Sequence, residues 1–138
     1  MTVQSISAIN QIKMARIFLF IAALLGGFAV AGGAFAAHAL KAKLSERAID
    51  IFETGTRYQI YHSLALLVVA LLLSRAEAAQ SMLVTAGLAF IVGIALFSGS
   101  LYAMSLTGMK WAGAIAPFGG VAFILGWGCL AIAAWNFK

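Results

Sequence analysis

Between Ile17 and Leu40 the chain has no Asp, Glu, Lys or Arg, and across all 138 residues only four are acidic and nine are Lys or Arg. Soluble domains carry roughly 25% charged residues; this one has 9%, with 64% hydrophobic residues and a mean hydropathy of +1.04. A water-soluble fold of this length cannot hide so much apolar surface, so the composition specifies an integral membrane protein. Cysteine is almost absent too. Cys129 alone permits no intrachain disulfide and no thiol pair for redox exchange, and a single thiol among apolar neighbours reads as inert packing.

Two further absences narrow the function. No Asp, Glu, Lys or Arg falls in the middle of a predicted span, which argues against a carrier built on a membrane-embedded carboxylate. No span pairs a nucleophile with an evident base, which argues against a hydrolase. The net charge of +5 is spread singly between apolar runs. Basic flanks of membrane spans account for it, and a nucleic-acid surface does not.

The residues that are present predict an all-α, integral membrane four-helix bundle. Residues 1–16 form a polar N-terminal segment ending in Lys13 and Arg16, and residues 17–138 form one domain with spans at about 17–40, 58–74, 82–104 and 115–136. A secretory signal competes for the first span, because Ala34, Phe35 and Ala36 imitate a cleavage site, but the apolar run continues past that point and three spans follow. From Leu44 to Arg57 the pattern becomes amphipathic, with Glu46, Asp50, Glu53 and Arg57 on one helical stripe and Leu44, Ile51, Gly55, Tyr58 and His62 on another. Ser45 is placed as its N-cap, Glu53 precedes Arg57 in the order that favours a helical ion pair, and Gly55 is where the junction is expected to loosen. This interfacial segment precedes, or is continuous with, the second span. Pro117 opens the fourth span, and Trp111 and Trp135 serve as anchors near opposite interfaces. The cations nearly balance: Lys13, Arg16, Arg75 and Lys138 lie on one side, and Lys41, Lys43, Arg47, Arg57 and Lys110 on the other.

Spans associate through close packing of small residues. The expected contact residues are Gly27, Ala31 and Gly33 in the first span, Ala89, Gly93, Ala95 and Gly99 in the third, and Ala122 and Gly126 in the fourth. The stripe Gly27, Ala31, Ala34 and His38 and its neighbour Gly26, Ala29, Gly33 and Ala37 are both expected to face inward.

The polar groups that could carry chemistry are few: His38, Arg57, Tyr58, Gln59, Tyr61 and His62. The two imidazoles flank the same loop and are expected on inward faces, where they could meet. Facing imidazoles ligate a metal or haem iron or relay a proton, but a third ligand is missing and no carboxylate lies beside either ring. A structural hydrogen-bonding role is the simpler reading, and no cofactor is expected. Arg57 to His62 reads as an interface girdle, or as a headgroup- or quinone-sized site near the surface.

Three strings, GAFAAHALK at 33–41, FETGTRYQIYHSLALL at 52–67 and APFGGVAFILGW at 116–127, taken together resemble the YgdD and transmembrane protein 256 family of small membrane proteins, a domain of unknown function. The similarity runs in order over residues 26–135. Family members commonly have Gly where Ala36 stands, Ala where Gly55 stands and Thr where Ala116 stands. The resemblance implies a four-helix bacterial inner-membrane protein with no established activity. His38, Arg57, Tyr58, Tyr61 and His62 match its motifs and are candidates only. The leading expectation is a non-enzymatic structural or assembly partner in the bilayer, touching lipid and other membrane proteins or itself and no nucleic acid. The alternatives are binding or transport of a small apolar or amphipathic ligand near His38, His62 and Arg57, and a haem- or metal-dependent enzyme.

Overall fold

A computed structural model describes residues 3–136, with side chains from Ser5 onward; Lys138, counted above among the flanking cations, lies outside them. Helix α1 (Val3–Phe35) continues through a wide π turn (Ala36–Leu40). After a short loop, α2 runs unbroken over Glu46–Leu73. The third span is α3 (Gln80–Gly93), a π turn (Ile94–Ser98) and α4 (Gly99–Thr107). A 3-10 turn (Lys110–Ile115) leads into α5 (Ala116–Trp135), with Pro117 in its first turn, where the missing donor has no helical acceptor to lose. All four helical stretches are long and apolar enough to cross a membrane.

The first stretch, Ser5–Leu40, is 36 residues long. At 1.5 Å per residue a helix of that length exceeds a hydrocarbon core of about 30 Å, so its polar first turns stand clear of the core. The second stretch behaves likewise: the amphipathic turns from Glu46 are continuous with the span, and Ser45 caps them by accepting from the Ala48 amide at 3.3 Å. Gly55 does not loosen the junction. It is buried, the Tyr102 ring lies across it, and its carbonyl accepts from Ser98 Oγ at 2.7 Å. Glu53 and Arg57 form no ion pair, and neither does any other acid and base among the described residues.

The bundle is built from two intimate antiparallel pairs, α1 on α2 and α3 on α5, joined through α2 with α3 and α4. In the second pair, glycines on each helix receive aromatic residues from the other. Phe123 lies over Gly93, Phe90 over Gly126, and the backbone of Phe97 against Gly119. The three contacts share one antiparallel register. The π turn then re-aims the third span, from Phe90 and Gly93 facing α5 to Ser98, Tyr102 and Ser105 facing α2. The core runs through Phe18, Leu66, Val69, Leu73, Leu83 and Phe90, all nearly inaccessible.

The packing faces differ in part from those expected. Gly33 faces Thr56, Gly93 and Gly126 are buried, and Ala89 and Ala122 are half-buried beside them. Gly27, Ala31, Ala34 and His38, by contrast, are exposed, and so are Ala95 and Gly99; a β-carbon at Gly27 or Gly99 would meet nothing within 4 Å. The inward stripe of α1 is Ala15, Phe18, Ala22, Ala29 and Ala36, with Gly26, Gly32 and Gly33 at its edge. The physical reason is that lipid is as apolar as the interior, so two adjacent small-residue stripes on one helix carry no hydropathic contrast that would choose between them.

Candidate functional site

His62 sits near the centre of the bundle, 6% exposed, on the side of α2 that meets α5. Its Nδ1 lies 2.7 Å from the carbonyl of Tyr58, one turn back, and its Nε2 lies 3.2 Å from Trp127 Nε1. A carbonyl only accepts and an indole N–H only donates, so Nδ1 carries the proton and Nε2 is the acceptor. The ring is therefore the neutral Nδ1–H tautomer, with both nitrogens engaged. It stacks on Phe123 with centroids 3.4 Å apart and planes within 7°. Tyr58, Phe90, Phe97 and Trp127 complete an aromatic cluster that joins α2, α3 and α5. This environment orients the imidazole and leaves no lone pair free for a metal or haem iron.

Gln59 is the other buried polar residue of the predicted cluster. Its Nε2 donates to the Leu25 carbonyl on α1 at 2.8 Å, and its Oε1 accepts from Tyr102 Oη on α4 at 2.8 Å. One amide thus ties three helices. Ser98 Oγ to the Gly55 carbonyl and Ser105 Oγ to the Ala48 carbonyl, both 2.7 Å, fasten the third span to the second along the same seam. Interhelical hydrogen bonds in bilayers average about 0.6 kcal/mol each, so the set contributes orientation more than bulk stability. At the other end, Gln11 Nε2 donates to the carbonyls of Leu73 and Ala76, and its Oε1 accepts from Gln80 Nε2, which closes the C-terminus of α2. Every buried side-chain nitrogen and oxygen among the described residues has a partner.

The two histidines do not meet. Ala36 and Leu40, either side of His38, pack with Ile49 and Phe52, and ten residues of helix, about 15 Å, separate Phe52 from His62. His38 is exposed in its π turn, and Arg57 and Tyr61 also face outward. Tyr58 lies at the rim, its ring against Phe97 at 4.5 Å. The six candidates therefore divide: Gln59 and His62 serve the interior, Tyr58 bridges the edge, and His38, Arg57 and Tyr61 lie outside. Among the described residues no three His, Cys, Asp or Glu side chains gather in a way that could hold a metal ion.

Sequence reasoning passed over Ser98, Tyr102, Ser105 and Trp127. The first three were legible as a stripe at intervals of four and three on one helix face.

The sequence profile described as "Protein of unknown function (DUF423)" matches residues 32–120. The chain belongs to that family. The UPF0382 membrane protein YwdK of Bacillus subtilis is 42% identical over 119 residues, covering 86% of this chain and 96% of its own. A UPF0382 membrane protein of Staphylococcus epidermidis is 43% identical over 122 residues, covering 88% and 98%. One from Haemophilus influenzae is 39% identical over 121 residues, covering 88% and 95%. No solved structure matches the chain. This DUF423 protein is thus a multi-pass membrane protein of a family without an established activity, as the three quoted strings implied.

Proposed function

We propose that this DUF423 protein is a non-enzymatic assembly partner in the bacterial inner membrane, docking onto another membrane protein or a second copy through the outer face of its first span. The observation that carries the reading is the unpartnered stripe Gly27, Ala31 and Ala34. It lies on a helix whose opposite side is packed on α2, and a β-carbon added at Gly27 would meet no other part of the bundle within 4 Å. Small residues in series let a second helix approach closely, which is how helices associate where hydrophobicity offers no preference. Full internal use of His62 and Gln59 supports the non-enzymatic half of the proposal. Helical spans, as opposed to a β-barrel, support the inner membrane.

The test is purification in mild detergent at native expression levels, with mass measured by light scattering. The parent should elute in a complex. The double variant Gly27→Leu, Ala31→Leu should elute as a monomer with its stability within about 0.5 kcal/mol of the parent, because neither site touches the fold. A parent that is monomeric, and carries a small ligand instead of a partner, would overturn the reading.

A further inference from the structure

The N-terminal turns of α2 have two unlike flanks. On one, Glu46, Asp50 and Glu53 line a recess with Lys41 against the end of the first span. On the other, Arg47 and Lys110 line a cavity of about 500 Å³ together with Ser45, Ile51, Met104 and Ser105. Arg47 comes from the first turn of α2. Lys110 comes from the 3-10 turn, and is brought across by Gly108, whose φ of 73° reverses the chain after α4. Residues 63 positions apart in sequence thus present two cations to one opening, and neither has a carboxylate partner within 4 Å.

The cavity lies where the second, third and fourth spans leave the membrane. Its inner wall is apolar, with Ile51 and Met104, and beside it Leu106, Met109 and Trp111 are exposed large apolar residues facing outward. That gradient, cations at the mouth and hydrocarbon below, matches a phospholipid, whose phosphate sits at the interface and whose chains run down the helices. Ser45, Arg47 and Ala48 of the lining belong to the N-terminus of α2, which adds partial positive charge to this end of the cavity.

We infer that this cavity is a phosphate-binding site for the headgroup of an anionic phospholipid, with Arg47 and Lys110 as its two cationic contacts. Arg47 offers a planar fork that can grip two phosphate oxygens, and Lys110 a mobile point charge that closes over them. The inference is independent of the docking stripe on α1, which lies on the first span and shares no residue with the cavity.

The experiment is native mass spectrometry of the full chain titrated with phosphatidylglycerol, with phosphatidylcholine, and with inorganic phosphate as a competitor. A near-surface Lys or Arg changes anionic-lipid affinity by about fivefold. The variants Arg47→Gln and Lys110→Gln should therefore each weaken the first phosphatidylglycerol adduct about fivefold and together about 25-fold, while phosphatidylcholine adducts stay unchanged. The control pair Lys13→Gln, Arg75→Gln, at the opposite membrane face, should leave that first adduct intact. Equal loss in the control pair would mean diffuse surface charge and would overturn the site. So would parental affinity in the double variant. Binding of inorganic phosphate with no lipid adduct would overturn the lipid assignment. Thermal melting of each variant matching the parent separates lost lipid contacts from lost fold, since Arg47 and Lys110 are both exposed.

Discussion

Gly119→Leu is expected to destabilise the protein by about 3 kcal/mol, the upper end of what overpacking usually costs. A β-carbon at this position would be driven into the backbone nitrogen of Phe97, with Phe97 Cβ at 2.7 Å and Cα at 2.8 Å. Backbone cannot step aside as a flexible side chain can, and Phe97 lies within the π turn that re-aims the third span. Gly93→Leu should follow closely, because the Phe123 ring covering it is itself pressed against His62 and has nowhere to retreat. Gly33→Leu should cost less, about 1 kcal/mol, since its nearest neighbour is Thr56 Cγ2 at an ordinary 3.6 Å. Gly120→Leu should cost nothing measurable; a β-carbon there meets nothing within 4 Å. Unfolding in detergent ranks the four. Equal melting of the Gly119 and Gly120 variants would show that α3 and α5 do not approach as described.

His62→Ala should cost about 3 kcal/mol for a different reason. It removes a ring stacked at 3.4 Å, opens a cavity within the aromatic cluster and leaves the Trp127 indole N–H without its acceptor. His62→Phe should recover most of this loss, because it keeps the stack and forfeits only the hydrogen bonds. Nitrogen NMR of the labelled ring should find the proton on Nδ1. Parental stability in His62→Ala, or a proton on Nε2, would contradict the pairing with Tyr58 and Trp127.

The spans were legible because charge is excluded from hydrocarbon, and runs such as Ile17 to Leu40 carry no Asp, Glu, Lys or Arg over a length that crosses a bilayer. The helical character of the segment before the second span was legible from Glu46, Asp50 and Glu53 at helical intervals, and Ser45 from its place just before them; whether that segment precedes or continues the span was open in the sequence, and α2 runs through both without a break. Which face of α1 packs was not. In water a buried face is apolar and the other polar, whereas in a bilayer Gly27 and Gly26 stand in equally apolar surroundings and differ only in what approaches them. The two imidazoles failed to meet because proximity to a common loop fixes the membrane side and not the depth: His38 ends the first span and His62 lies more than four turns into α2. Trp127 stood in a string that was quoted for its resemblance, but its indole reaches a residue 65 positions away. Only the packed helices reveal that pairing.

The most direct test of the account is a cysteine scan along the first span, in native membranes and a Cys129→Ser background, each cysteine carrying a photo-crosslinker that captures whatever chain lies against it. Single cysteines at residues 24–35 should give intermolecular adducts that peak at 27, 31 and 34 and vanish at 26, 29 and 33, the face held by α2. Adducts absent throughout, or peaking on the α2 side, would contradict the claim that the inward groups build the bundle and the outward stripe meets the partner.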